Sequence, residues 1–271
     1  MGARLRVSGY PVCRPNMNRE ALQRREKRKF CCRTANCEVC YAGSESMIPL
    51  KDINPTRTFP FVNIALIVAN VVVFIYQSTL PAHAYKMFVL ANATIPARVP
   101  SFLAGHTPAQ VALEPLFTSM FLHGGLMHLL GNMLFLYIFG DNIEDVFGHI
   151  GYLFFYVFCG IGSGLLHVLF NWHSTIPALG ASGAISGVMG AYAVYFPRNQ
   201  ILTFFFIFLI PIPAIFILGY WFVLQFLEGI NGLGMAQAGG VAFWAHIGGF
   251  VMGVVIALMV KSGGSGRRRS F

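Results

Sequence analysis

The chain has 271 residues, of which 56% are apolar and only 11% carry a charge, whereas soluble domains carry about 25% charged residues. Its mean hydropathy of +0.63 points in the same direction. A composition this apolar excludes an ordinary soluble domain and predicts a protein that spans a lipid bilayer.

The net charge of +9 is concentrated at the N-terminus. Residues 1–46 contain ten Lys or Arg against four Asp or Glu, and they lack the apolar core of a secretory signal. Such a segment is typical of a tail near anionic lipid, and we expect no nucleic-acid partner. Cys31, Cys32, Cys37 and Cys40 also lie there. One pair has the spacing of half a zinc site, but the other cysteines are irregularly placed, so we expect no bound metal.

Six apolar segments follow, each near the ~20 residues that cross a bilayer as a helix. They run from about residue 59 to 77, from 116 to 139, from 150 to 170, from 182 to 196, within 206 to 227, and from 241 to 260. The loop 78–115 is rich in proline and partly apolar, so we expect it to lie partly in the membrane interface. The predicted fold is an all-α, polytopic bundle of six membrane-spanning helices.

Basic residues at the ends of these segments predict the orientation. Lys51, Arg57, Arg198 and Lys261 fall on one membrane face of a six-span arrangement, which predicts that both termini are cytoplasmic. We expect three regions: a disordered or non-native leader (1–46), a six-span domain (47–260) and a basic tail (261–271).

Four polar side chains within the apolar segments fall at a similar depth below the outer membrane face. His128 and Asn132 are four residues apart, so they share one face of the second segment. Ser182 opens the fourth segment, and His246 lies five residues into the sixth. Polar groups inside a bilayer are costly, so their coincidence at one depth predicts a functional site. His123 and His167 lie nearer to segment ends.

This combination is suited to nucleophilic catalysis. A serine hydroxyl is a weak nucleophile, and His246 can supply the base that activates Ser182. Glycines beside both residues would let the fourth and sixth helices approach closely. Backbone N–H groups at the start of the fourth helix, together with His128 and Asn132, can stabilise an oxyanion. The acidic residues 141, 144 and 145 are predicted on the opposite face, which favours a Ser–His dyad over a triad.

Three motifs carry a family resemblance: His123–Asn132 (HGGLMHLLGN), Gly180–Ala184 (GASGA) and Ala245–Gly249 (AHIGG). In order, spacing and placement they resemble the signature of the rhomboid intramembrane serine proteases, over about residues 47–260. The resemblance implies Ser182 as nucleophile, His246 as general base, and an oxyanion site at His128 and Asn132. It also implies cleavage of peptide bonds in or near transmembrane segments of other membrane proteins, without a cofactor.

The same resemblance carries further expectations. Residues 47–57 resemble the start of many bacterial members, which suggests Met47 as the natural initiator. The compact six-span plan suggests a bacterial inner-membrane location. Glu144 and Gly148 resemble a structural acidic turn of the family. Two features depart from it: the first loop lacks a Trp-Arg pair, and Ser186 stands where some members place a Tyr against the histidine.

Two other functions remain open at this point. An inactive rhomboid-like protein would bind membrane clients, but such proteins usually lack the serine or the histidine. A channel or transporter could use His128, Asn132 and His246 to line a path, but it would not need Ser182, and the sequence shows no internal repeat.

Overall fold

The computed structural model describes residues 47–205, 208–231 and 242–263. The predicted leader with its cysteines and the arginine-rich end of the tail lie outside the described residues. Within the described part, the elements in chain order are β1 (Met47–Asp52), α1 (Phe61–Thr79), α2 (Ala82–Asn92), α3 (Arg98–Leu103), α4 (Ala109–Leu113), α5 (Pro115–Thr118), a 3₁₀ turn (Ser119–Phe121), α6 (Leu126–Phe147), α7 (His149–Phe170), α8 (Ser182–Tyr195), β2 (Gln200–Phe205), β3 (Phe208–Pro213), α9 (Ala214–Asn231) and α10 (Phe243–Gly263).

The fold is mostly helical, and four helices are long and apolar enough to cross a membrane: α1, α6, α7 and α10. This confirms the predicted helical membrane bundle. Helix α9 is apolar but shorter, and α8 has only 14 residues. The count of six spans therefore remains a prediction.

Helix α8 is short because it lies inside the bundle. Every residue from Gly183 to Tyr192 is buried, and α6, α7, α9 and α10 all contact it. A helix enclosed by other helices contacts little lipid, so it can consist largely of small residues. Its N-terminus, Ser182, is thereby held within the helical bundle.

Two segment boundaries differ from the prediction. The second span was expected from about residue 116, but residues 115–121 form short helical turns and α6 begins at Leu126. The sequence Gly124-Gly125 separates the two parts, and Gly125 has an extended backbone, with φ 172° and ψ 168°. The reason is that two consecutive glycines disfavour a continuous helix.

The fifth span was expected within residues 206–227, yet its first part is a β-strand. Strands β2 and β3 form an antiparallel hairpin, and β1 pairs with β2, giving the sheet order β1-β2-β3. Ile201 and Thr203 are fully buried, whereas Phe204 is 39% exposed. One face of β2 thus packs on the bundle, and α9 begins only after Pro213.

The first loop is ordered by short helices. Helices α2, α3 and α4 occupy most of residues 82–113, and Thr94 pairs with Ala178 in an isolated antiparallel bridge. Arg98 Nη1 donates a hydrogen bond to the carbonyl oxygen of Leu90 at 2.7 Å. The loop is therefore tied both to itself and to the segment that leads into α8.

Helix α1 is fixed at both ends by hydrogen bonds, at its start with α6 and at its end with the segment that precedes α6. At its start, the Glu144 carboxylate accepts hydrogen bonds from the backbone N–H groups of Val62 (3.0 Å) and Asn63 (2.7 Å). A carboxylate there pairs with free N–H groups and with the positive end of the helix dipole. At its other end, Gln77 exchanges two hydrogen bonds with the backbone of His123. Asn63 and Gln77 are about 21 Å apart along the helix axis.

Candidate active site

Ser182 is the first residue of α8, and a glycine sets the turn before it. Gly180 has φ +130°, a conformation that favours glycine, and a Cβ there would lie 2.9 Å from the His128 ring. The first main-chain bond of the helix runs from the Ile185 N–H to the Ala181 carbonyl oxygen at 3.0 Å. The N–H groups of residues 182–184 precede it and have no partner within the helix, so they can bind a negative charge.

The structure brings Ser182 and His246 into direct contact. The distance from His246 Nε2 to Ser182 Oγ is 2.7 Å, which is a hydrogen bond. The two side chains come from helices α8 and α10, 64 residues apart in the chain.

Glycine contacts between α8 and α10 allow this approach. A Cβ on Gly249 would lie 2.0 Å from the carbonyl oxygen of Gly183, and a Cβ on Gly253 would lie 1.9 Å from that of Gly187. Real Cβ atoms do not come this close, so the two backbones pass each other at a distance that only glycine permits. The close approach predicted from the glycine spacing is confirmed.

The second imidazole nitrogen of His246 contacts a residue that the sequence analysis missed. His246 Nδ1 lies 2.6 Å from Gln225 Oε1 on α9. The ring of Trp221, one turn earlier on the same helix, lies 5.7 Å from the imidazole ring. Ser186, one turn after Ser182, donates a hydrogen bond to the carbonyl oxygen of Ser182 at 2.6 Å. A polar Gln in an apolar segment was the signal that could have identified this contact.

His128 and Asn132 lie one turn apart on α6, and both face Gly180. A Cβ on Gly180 would be 2.9 Å from His128 Nε2 and 3.7 Å from Asn132 Nδ2. His128 Nδ1 accepts a hydrogen bond from the Gly124 N–H at 3.4 Å. In the neutral ring, a lone pair at Nδ1 places the proton on Nε2, which is then a donor. Asn132 Nδ2 is buried and has no hydrogen-bond partner among the described residues.

His123 and His167, the two histidines near the segment ends, have different surroundings. His123 is 1% exposed, and its ring packs edge-on against His128 with 5.2 Å between centroids. Burial, and next the neighbouring His128, lower the pKa of His123 to about 4, so this ring is neutral at physiological pH. His167 is buried on α7, where Asn171 hydrogen-bonds to its carbonyl oxygen at 3.0 Å.

The acidic residues lie at the opposite end of the bundle, as expected. Glu144 caps the start of α1 and contacts His149 Nδ1 at 2.5 Å. Asp145 accepts hydrogen bonds from the backbone N–H groups of Arg57 and Thr58. A cavity of about 630 Å³ lies at this end, lined partly by Asp52. These carboxylates stabilise the entry into α1 and are remote from Ser182.

Comparison with known proteins agrees with the geometry. The Rhomboid domain matches residues 110–263. The chain is 34% identical over 152 residues to RHOMBOID-like protein 6, mitochondrial, of Arabidopsis thaliana, covering 55% of this chain and 45% of the relative. It is 32% identical over 145 residues to Rhomboid protein 1, mitochondrial, of Saccharomyces cerevisiae, covering 51% and 39%.

A longer match extends toward the N-terminus. RHOMBOID-like protein 12, mitochondrial, of Arabidopsis thaliana is 29% identical over 209 residues, covering 68% of this chain and 57% of the relative. The chain thus spans between about two fifths and three fifths of these relatives' lengths. Because they come from plants and yeast, they do not support the expected bacterial inner-membrane location. The matched domain includes the Ser–His contact and three of the four long apolar helices, and the chain belongs to the rhomboid family of integral, multi-pass membrane proteins.

Proposed function

We propose that this protein is an intramembrane serine endopeptidase that uses Ser182 as nucleophile and His246 as general base. The observation that carries the proposal is the 2.7 Å contact between Ser182 Oγ and His246 Nε2. A serine needs an adjacent base to attack a carbonyl carbon, and general bases act within hydrogen-bond reach of the proton they remove.

The reaction follows the order of other serine proteases. Ser182 Oγ attacks the carbonyl carbon of the scissile peptide bond while its proton passes to His246 Nε2. The peptide C–N bond then breaks, and the imidazolium returns the proton to the leaving amine. Water, deprotonated by the same nitrogen, attacks the acyl-enzyme ester. The ester C–O bond then breaks, and the imidazolium returns that proton to Ser182 Oγ, which releases the acid and regenerates the serine.

The negative oxygen of each tetrahedral intermediate needs donors that are fixed in advance. Candidates are the N–H groups at the start of α8, His128 Nε2–H and the Asn132 amide. The two side chains converge on Gly180, two residues before the nucleophile. Donors held in a site of low dielectric stabilise such an oxyanion strongly, because they need not reorganise.

The proposed substrate class follows from the position of Ser182 and His246 within the bundle. Ser182 begins a helix that other helices enclose, within a chain of long apolar helices. A peptide that reaches this site must enter from the bilayer or its surface and must expose its backbone. We therefore propose substrates with transmembrane segments that unwind locally, without a cofactor. The excess of Lys and Arg at one set of helix ends predicts that both termini are cytoplasmic.

The test uses the full chain in detergent micelles or liposomes and a single-span substrate with a destabilised helix end. Wild type should cleave it and should react at Ser182 with a fluorophosphonate, whereas Ser182→Ala and His246→Ala should do neither. Ser78→Ala is the control for removing a serine hydroxyl from an apolar helix. Ser78 lies on α1, and its hydroxyl donates a hydrogen bond to the carbonyl oxygen four residues earlier, as that of Ser186 does on α8. Cleavage by Ser182→Ala at the wild-type rate would reject the assignment, as would no labelling of correctly folded wild type.

A further inference from the structure

We propose that Gln225 is a positioning residue that holds His246 in the tautomer able to accept the serine proton. This inference rests on the proposed function, since it concerns the base of the same reaction. It adds a fourth helix, α9, to a site that the sequence motifs assign only to α6, α8 and α10.

Both nitrogens of the His246 ring are engaged in the structure. Nε2 lies 2.7 Å from Ser182 Oγ, and Nδ1 lies 2.6 Å from Gln225 Oε1. Two hydrogen bonds on opposite sides of the ring fix its rotation as well as its position. The Trp221 ring, one turn before Gln225, lies beside the imidazole, with 5.7 Å between the ring centroids.

The chemistry of the amide oxygen decides which nitrogen carries the proton. A carbonyl oxygen can only accept a hydrogen bond, so Gln225 Oε1 at this distance requires a proton on Nδ1. A neutral imidazole has one proton, so Nε2 presents its lone pair to the serine hydroxyl. Without this acceptor, the proton could move to Nε2, and the ring could no longer accept the serine proton.

An aspartate performs this role in the well-known Ser-His-Asp enzymes, where its replacement by an amide yields the wrong tautomer and lowers kcat about 10⁴-fold. The protein described here uses an amide from the outset, with its oxygen directed at Nδ1. A neutral acceptor orients the ring but adds no negative charge to stabilise the imidazolium. Its loss should therefore lower kcat about 10- to 100-fold, less than the loss of an aspartate.

The position of Gln225 argues against a role in packing alone. Helix α9 is an apolar helix, and a polar amide within such a segment is costly unless its groups are bonded. Val223 and Phe226 on the same helix are about half exposed, whereas Gln225 is only partly exposed and reaches a functional nitrogen on α10.

The experiment compares two substitutions that differ in what they offer to Nδ1. Gln225→Met keeps the length of the side chain but removes the oxygen acceptor, and Gln225→Glu keeps an oxygen that only accepts. Glu228→Met is the control, because Glu228 is exposed on the same helix. All variants are purified as full chains, and their thermal unfolding is recorded to confirm that they fold.

The expected kinetic result is a change in kcat without a matching change in KM. Gln225→Met should lose 10- to 100-fold in kcat and in the rate of fluorophosphonate labelling, Gln225→Glu should recover at least a third of wild-type kcat, and Glu228→Met should match wild type. Retention of kcat within twofold by Gln225→Met, or equal loss in Gln225→Met and Gln225→Glu, would overturn the proposal.

A spectroscopic measurement tests the tautomer directly. In protein labelled with ¹⁵N-histidine, the two ring-nitrogen shifts of His246, identified by their loss in His246→Ala, distinguish Nδ1–H from Nε2–H. Wild type should show Nδ1–H, and Gln225→Met should populate Nε2–H. An Nε2–H ring in wild type would refute the role of Gln225. This readout needs no activity, so an inactive wild type would refute the proposed function while the role of Gln225 was still tested.

Discussion

Substitution of Gly249 by alanine tests whether the glycine contact between α8 and α10 sets the distance between Ser182 and His246, the proposed catalytic pair. The added Cβ would lie 2.0 Å from the carbonyl oxygen of Gly183, whereas Cβ contacts under 3.0 Å are essentially never seen and ordinary contact begins at 3.4 Å. Helix α10 must therefore move away from α8 by about 1.0–1.4 Å. Gly183 follows Ser182 directly, and Gly249 is one turn from His246, so the shift should reach the Ser182–His246 contact.

The displacement is large compared with the tolerance of the Ser–His contact. If it is fully transmitted, the 2.7 Å distance becomes about 4 Å, beyond hydrogen-bond range. A misplacement of about 1 Å can lower a rate ~10²-fold. We expect Gly249→Ala to lose about 100-fold in substrate cleavage and in fluorophosphonate labelling of Ser182, while remaining a folded helical protein by circular dichroism.

The matched control is Gly219→Ala on α9. A Cβ at Gly219 would meet nothing within 4 Å, and alanine is favoured over glycine in a helix by up to ~1 kcal/mol. Gly219→Ala should therefore keep its activity and unfold at the same or a slightly higher temperature. Activity of Gly249→Ala within threefold of wild type, at unchanged thermal stability, would show that the glycine contact does not position the dyad.

Two further predictions concern a buried amide without a hydrogen-bond partner among the described residues, Asn132, and a buried carboxyl near a second acid, Asp52. Asn132→Ala should lower kcat about 10²–10³-fold by removing one oxyanion donor, with KM nearly unchanged. Its unfolding temperature should not fall, because Asn132 Nδ2 is a buried donor without a hydrogen-bond partner among the described residues. An unchanged kcat would exclude Asn132 from the oxyanion site. Burial, and next the charge of Asp141, raise the pKa of Asp52 to about 6 from an ordinary 3.8. The folded state therefore favours the protonated carboxyl over the carboxylate. This contribution to stability is complete below pH 3.8 and is lost as the pH rises through 6. Asp52→Asn should therefore unfold about 2–4 °C above wild type at pH 7.5, which is the shift that ~1 kcal/mol produces in a domain of this size. Near pH 4 it should unfold at the same temperature as wild type. Equal melting curves at both pH values would contradict the argument.

The contact between Ser182 and His246 could be predicted from sequence because the membrane restricts where a helix can run. Once Ser182 and His246 are assigned to spans that start on the same face, their depths follow from the rise per residue. The glycine spacing then indicates which helices approach closely. Both steps use only helix geometry and the length of a span, which is why the structure agrees with them.

The hairpin of β2 and β3 could not be predicted by the same reasoning. Short apolar runs do not show by periodicity whether they form a strand or a helix, and the run before α9 was therefore assigned to the fifth span. In the structure, Pro211 and Pro213 lie on β3, which is an edge strand of the sheet. Proline is tolerated at a sheet edge but breaks a helix interior, so these two prolines were the signal against a longer helix.

Gln225 was missed for a different reason. The signals for the site in the sequence are ionisable residues within the spans and the three family motifs, and an amide on α9 belongs to neither set. Its importance depends on its distance from His246 Nδ1, 2.6 Å, which no spacing within the sequence encodes, because the two residues lie on separate helices joined by a glycine-rich segment.

One hydrogen-bond donor of the proposed site lacks a partner in the described part of the chain and would gain one from a bound substrate. His246 is bonded on both sides, and His128 Nδ1 accepts from Gly124. Asn132 Nδ2, in contrast, is buried without a partner among the described residues. An unsatisfied buried donor costs about 1–3 kcal/mol, and a substrate oxyanion that accepted this bond would remove the cost. Because the ground-state carbonyl oxygen carries less negative charge than the oxyanion, the gain is larger in the transition state, which is the condition for raising kcat.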